Sequence, residues 1–274
     1  MPKKLIRMAI VYDFDGTLAP GNMQEYNFIP ALNMLSKHFW ASVNDLAKKH
    51  EMDQILAYMY TMLEEARKAK VAVRKEDFKN FGASIELFPG VKDWFKRSNA
   101  YAKAKGVRLE HFIISSGIRE MVEGTPIYKE FKKVYASGFM FDHNGVACWP
   151  ALAVNYTTKT QYLFRVNKGS LDVHDNTVIN KFVPKEQRPV PFEHMIFVGD
   201  GETDIPCMRL VKDQGGHSIA VYNPGKHGAK KNAEQLIKDG RATLVTATDY
   251  QEGRAIDKAV KAIIDKVEAS TRVG

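Results

Sequence analysis

The alternation of apolar and polar positions divides the chain at about residue 88. Before that point lies one short, unbroken apolar run, Met8 to Tyr12. It has the length and continuity expected of a strand buried on both faces. From Asn22 to Phe88 the apolar positions recur at helical spacing instead. Ala31, Leu32, Leu35 and Phe39 follow Pro30; Ile55, Leu56, Met59, Met62, Leu63 and Ala66 lie between Met52 and Ala69; a weaker repeat runs from Lys75 to Ile85. Ser42-Val43-Asn44-Asp45 offers capping residues, so a new helix is expected at Leu46. The Met and aromatic stripes of this block read as helix packing.

Beyond Leu87-Phe88-Pro89-Gly90 the texture becomes an alternation of helices and strands. Val91 to Lys105 predicts a helix ended by Gly106, Leu109 to Gly117 a strand, and Ile118 to Val122 the opening of another helix. Val134 to Trp149 predicts a hairpin turning at Asp142-His143-Asn144-Gly145, with a further short strand at Val154 to Thr157. Helices are expected at Gln161 to Asn167, closed by Lys168-Gly169, and at Asp172 to Val183, before a Pro-rich connector from Pro184 to Pro191. Met195 to Gly199 and Ser218 to Tyr222 read as buried strands flanking a helix from Ile205 to Lys212. Leu244-Val245 and Gly253 to Val267 read as a last strand and a closing helix. This order predicts an α/β fold, a Rossmann-like three-layer core with a parallel sheet, carrying an inserted α-helical subdomain. The expected division is a core of 1–20 and 89–274 and a helical cap of 21–88.

Chemistry enters at the strand ends. The first apolar run delivers Asp13 and Asp15 into a turn at Gly16; at spacing two in extended chain they point to one side. Carboxylates that close repel unless a cation or a shared proton relieves them. Alone, Asp-Phe-Asp-Gly would equally suit a turn whose Asp side chains accept local backbone N–H groups. Two more apolar strands, however, end in Ser115-Ser116-Gly117 and in Gly199-Asp200-Gly201-Glu202-Thr203-Asp204. In open parallel sheets, ligands bind outside the strands' carboxyl ends.

Asp13-Phe-Asp-Gly-Thr-Leu, Ile-Ile-Ser115-Ser-Gly and Gly-Asp200-Gly-Glu-Thr-Asp204 resemble the first, second and fourth signature motifs of the haloacid dehalogenase-like superfamily. The helical block between the first two motifs resembles the phosphoserine-phosphatase-like branch. The resemblance implies a phosphomonoester hydrolase with Asp13 as nucleophile, forming an aspartyl-phosphate, and Asp15 as general acid and base. Dehalogenases of the superfamily lack the second Asp. It also implies Mg²⁺ held by the Asp13 carboxylate, the Asp15 carbonyl and Asp200, with Asp204 as a ligand or its support. Ser115, with Ser116 and Gly117 beside it, would bind the phosphoryl group. A charge-offsetting lysine is expected too, and Lys159, at a helix start, is preferred over Lys181 and Lys168. In the cap, His38, Arg67, Arg74 and Lys79 are within the range of substrate contacts but read as solvated surface, and Glu25 and Tyr26 as linker contacts.

Composition narrows little further. The net charge of +8 favours anionic partners. The lysines are scattered without an aromatic-interleaved stripe, so a small phosphorylated substrate is expected and nucleic acid is not. No segment approaches a membrane span, and the basic Met1-Pro2-Lys3-Lys4 start is not followed by a signal-peptide pattern. Cys148 and Cys207 make no disulfide framework, and a cytoplasmic setting is expected. Phosphoryl transfer to another acceptor (a phosphotransferase or mutase) and a non-catalytic phospholigand-binding role are the rival readings. The substrate itself and the oligomeric state are not legible.

Overall fold

The computed structural model describes residues 5–273. Seven strands, β1 (Ile6–Tyr12), β2 (Val107–Ile118), β3 (Lys133–Phe141), β4 (Ala147–Leu152), β5 (Met195–Gly199), β6 (His217–Tyr222) and β7 (Leu244–Ala247), form one sheet in the order β4-β3-β2-β1-β5-β6-β7. All neighbours are parallel except the β3–β4 hairpin. This is the α/β fold expected from the alternation of elements.

The register of the central strands places the chemistry. Tyr12 of β1 lies opposite Ile113 of β2 on one side and Val198 of β5 on the other. The residues that follow, Asp13, Ser115 and Asp200, therefore emerge side by side at the carboxyl edge. β1 is buried on both faces. Met8, Ile10 and Tyr12 face one hydrophobic cluster, Ala9 and Val11 the other, which is why no polar alternation appears in its sequence.

Helices α1 (Phe28–Ala31), α2 (Ser36–His50), α3 (Gln54–Ala69) and α4 (Lys75–Ala83) follow β1; α5 (Val91–Ala104) leads to β2 and α6 (Arg119–Gly124) leaves it. Helices α7 (Lys159–Lys168) and α8 (Asn176–Asn180) precede β5, α9 (Ile205–Asp213) joins β5 to β6, α10 (Ala229–Lys238) joins β6 to β7, and α11 (Ala255–Val273) closes the chain. Trp94, Ile256 and Val260 of α5 and α11 pack on one face of the sheet, in a cluster that continues through Phe28, Phe39 and Met59 into the helical block. Tyr162, Leu163, Cys207 and Met208 of α7 and α9 cover the other face. No helix among the described residues is long and apolar enough to cross a membrane.

Four local expectations need correction. Helix α2 runs unbroken through Ser42–Asp45, because buried Val43 and Ala47 continue the stripe begun by Phe39. The break comes at Glu51, in the left-handed region at φ 52°, and Asp53 caps α3 by accepting the Ile55 and Leu56 N–H groups. Val154–Thr157 is not a strand: Asn155 and Thr158 bond reciprocally, each side chain accepting the other's backbone N–H at 2.9 Å. Only Asn176–Asn180 of the expected 172–183 helix forms. Helix α10 was not anticipated, since Ala233 is its single buried residue and Lys-rich exposure hides the pattern.

Helix α4 packs directly on α6. A Cβ on Gly82 would overlap the Met121 carbonyl, and one on Gly124 the Lys79 carbonyl, so the two backbones meet through paired glycines. Gly82→Ala is expected to lower stability by about 1–3 kcal/mol through this overpacking. The midpoint of urea unfolding measures it, and an unchanged midpoint would contradict the contact.

Candidate active site

Asp13 extends β1 by one ladder bond, its N–H donating to the Val198 carbonyl at 2.9 Å. The chain then turns at once, with the Thr17, Leu18 and Ala19 N–H groups all directed to the Phe14 carbonyl. Gly16 sits at the bend with φ +74°, and a Cβ there would overlap the Asp200 carboxylate. Both the conformation and the space require glycine. Asp15 is held from the other side, its Oδ1 accepting the Met23 N–H at 3.0 Å.

Lys159 is the first residue of α7 and is fully buried. Its Nζ lies 3.1 Å from Asp13 Oδ1 and 2.7 Å from Asp204 Oδ1. The other oxygen of Asp204 accepts the N–H groups of Asp200 (3.2 Å) and Gly201 (3.3 Å). Asp204 thus anchors the turn after β5 and the lysine at once. Asp200 stands open to the cavity beside them, and Asp13, Asp200 and Asp204 can each bring one carboxylate oxygen within 4.8 Å of the others. Lys168, by contrast, donates to the carbonyls of Ile179 (2.7 Å) and Lys181 (2.9 Å), away from this cluster.

At the end of β2, Ser115 Oγ accepts the Gly117 N–H at 3.0 Å. The Ser116 carbonyl accepts hydroxyl bonds from Ser137 (3.2 Å) and Tyr58, while Ser116 Oγ is buried without a partner among the described residues. Tyr58 belongs to α3, so the helical block bonds directly to the serine turn at the end of β2. A second such bond joins Asn155 Nδ2 to Asp53 Oδ2 at 2.7 Å.

The charges are crowded. Burial, with Asp204 beside it, pushes the Asp13 carboxyl up to about 6 despite the nearby Lys159. Burial and the charge of Asp13 raise Asp15 well above the carboxylate range. Dense surroundings and the charges of Asp204 and Asp13 push Asp200 up to about 8. For Lys159 burial works the opposite way, but the two carboxylates outweigh it and raise its pKa, keeping the ammonium charged. One buried cation thus faces more negative charge than it can neutralise.

These groups line one cavity of about 460 Å³ under the helical block. Asp13, Asp15, Ser115, Ser116, Gly117, Lys159 and Asp200 all reach it, while Asp204 lies behind Lys159. The rest of the wall was not foreseen: Gln24, Trp40, Gln54 and Tyr58 from the block, and Asn223, Lys226, His227 and Asn232 around the start of α10. His38, Arg67, Arg74 and Lys79 do not line it; Arg67 and Lys79 pair with Glu64 and Glu76 along their own helices.

The model of the haloacid dehalogenase-like hydrolase family matches residues 10–209, which include every strand end described above. The chain belongs to that family. An uncharacterized protein of Borreliella burgdorferi is 27% identical over 273 residues, covering 90% of this chain and 92% of its own. A phosphoethanolamine/phosphocholine phosphatase of Gallus gallus is 26% identical over 205 residues, covering 71% and 67%. A haloacid dehalogenase family hydrolase from Salmonella enterica serovar Typhi shares the fold with a TM-score of 0.58 at 16% identity, over 97% of this chain and 74% of that one. A substrate-bound phosphoserine phosphatase does so with a TM-score of 0.57 at 14% identity, over 93% and 98%.

The raised Asp13 pKa has a consequence for stability without added metal. Its folded value of about 6 exceeds the ordinary 3.8, so between these values the native state binds more protons than the unfolded chain. The contribution of Asp13 to wild-type stability therefore falls there as pH rises. With EDTA present, Asp13→Asn is expected to gain in Tm relative to wild type from pH 4 to about 6. A relative loss over that range would contradict the electrostatics described.

Proposed function

We propose that the chain is a Mg²⁺-dependent phosphomonoester hydrolase that acts on a small phosphorylated metabolite through an aspartyl-phosphate on Asp13. The observation that carries this reading is the buried Lys159 ammonium between Asp13 and Asp204, with Asp15 held beside them by the Met23 N–H. An unprotonated Asp13 aimed into a cavity is a nucleophile, and a neighbouring carboxyl with a raised pKa is the group that can hand over a proton. The family membership and the phosphatase names of its relatives agree with this.

The donor set suits a hard divalent cation. It offers only oxygens, and their mutual repulsion is what a cation would relieve. Both oxygens of Asp204 are already engaged, which makes it a support for the site. Asp13, Asp200 and the Asp15 backbone carbonyl would hold the ion. Bound there, Mg²⁺ would orient the phosphoryl oxygens and offset their charge.

In the first half-reaction an Asp13 oxygen attacks phosphorus, and the ester P–O bond breaks. Asp15 donates its proton to the departing alcohol oxygen. Lys159, the Ser115 hydroxyl and the Ser116 N–H hold the charge that spreads over the transferring group. In the second half-reaction Asp15, now a carboxylate, takes a proton from the water that attacks the aspartyl-phosphate. The Asp13–phosphoryl bond breaks, releasing phosphate. Residues 21–88 would act as a cap, with α2 and α3 shielding the cavity and excluding other water.

Three outcomes are expected. Asp13→Asn loses turnover by about 10⁴-fold or more, and EDTA removes wild-type activity that Mg²⁺ restores. In kcat/KM, which reports only the steps up to alcohol release, Asp15→Asn loses roughly 10²–10⁴-fold on alkyl phosphates but much less on p-nitrophenyl phosphate, whose leaving group needs no proton. Equal losses on both ester types would remove Asp15 from the acid role. Wild-type rates in Asp13→Asn would end the proposal.

A further inference from the structure

Three consecutive residues just past the first motif form one turn of 3₁₀ helix, Met23–Glu25, whose outer two are fixed by hydrogen bonds. The Met23 N–H bonds Asp15, and its sulfur accepts the Ile118 N–H at 3.1 Å. Glu25 accepts Trp40 Nε1 at 2.6 Å and Asn22 Nδ2 at 2.8 Å. Gln24, fixed between them, is 2% exposed and forms part of the cavity wall. Its Oε1 is buried with no hydrogen-bond partner among the described residues. Whichever way the amide is turned, a buried polar atom of this wall residue lacks a mate. Such an atom carries a desolvation cost that a bound ligand would relieve.

Resting on the hydrolase reading above, we propose that Gln24 is the specificity residue for the leaving group, and that this group is an uncharged alcohol carrying a further hydroxyl. An amide both donates and accepts, which matches a hydroxyl; an ammonium only donates and is better met by a carboxylate. The cavity has no free carboxylate away from the phosphoryl end. Glu25 does not line it, and its Oε1 accepts from Trp40 and Asn22; besides Asp13, Asp15 and Asp200 the charged or basic residues of the wall are Lys159, Lys226 and His227, none of them acidic. On the same cavity lining, Trp40 and Tyr58 meet edge to face at 6.1 Å. With its N–H spent on Glu25, the indole offers apolar surface to the C–H groups of a small polyol.

The test compares kcat/KM for glycerol 3-phosphate, phosphoethanolamine and p-nitrophenyl phosphate in wild type, Gln24→Leu and Gln24→Glu. Wild type should favour glycerol 3-phosphate over phosphoethanolamine. Gln24→Leu should lower the ratio of glycerol 3-phosphate to p-nitrophenyl phosphate by roughly tenfold, the scale of one buried unpaired polar group. Gln24→Glu should turn the ratio of the two natural-type esters toward phosphoethanolamine, and it carries the test if the Leu variant does not fold. A wild-type preference for phosphoethanolamine, or ratios unmoved by both substitutions, overturns the inference. If wild type hydrolyses none of the esters with Mg²⁺, the hydrolase reading fails separately. Calorimetric binding of the same esters then decides about Gln24: a selective loss of glycerol 3-phosphate affinity in the variants supports it, and an equal loss for all esters overturns it.

Discussion

A buried ammonium between two aspartates is the interaction on which this molecule's site depends. Lys159 comes from the start of α7, Asp13 from the end of β1 and Asp204 from the turn after β5, so one cation ties together three separate elements. Burying such a group is favourable only when its charge is matched, and removing one member strands the others. Asp204 makes the match more than pairwise. Its second oxygen collects the N–H groups that shape the Asp200 turn, so the position of Asp200 depends on the lysine as well. The remaining negative charge is not matched by the protein. That residual negative charge is what a bound cation would offset.

The sheet order explains why these elements meet. β1 pairs with β2 on one side and β5 on the other, so the chain reverses direction of growth at β1, and the cleft opens where the three carboxyl ends lie together. The helical block is attached over this cleft by more than packing. Tyr58 bonds to the Ser116 carbonyl and Asp53 to Asn155, linking α3 to both the serine turn and the loop that starts α7. Contacts made by the block thus reach both the Ser115–Gly117 turn and the start of α7.

Much of this was legible because buried parallel strands leave a strong trace. Unbroken apolar runs at Met8–Tyr12 and Met195–Gly199, each ending in Asp beside Gly, specify both a strand and its polar tip. Lys159 was legible less directly, through a helix start at which Asn155 Oδ1 accepts the N–H of the N-cap residue Thr158. What escaped detection has a common cause. Gln24, Trp40 and Tyr58 are placed by tertiary packing of the block, and a single buried glutamine has no periodic pattern. Helix α10, with its cavity-facing neighbours Lys226 and His227, lies on a polar surface where hydrophobic periodicity is weak. The α2 boundary failed because Ser42–Asp45 has capping chemistry, yet packing of Val43 and Ala47 outweighs it.

The central claim is that Asp13 carries the phosphoryl group, and chemical trapping tests it most directly. Enzyme quenched in acid during turnover of p-nitrophenyl phosphate with Mg²⁺, then reduced with borohydride, should contain homoserine at position 13, seen by peptide mass spectrometry and dependent on substrate. Reduction at no position, or a phosphoryl group found on Ser115 or Ser116 instead, would contradict the account.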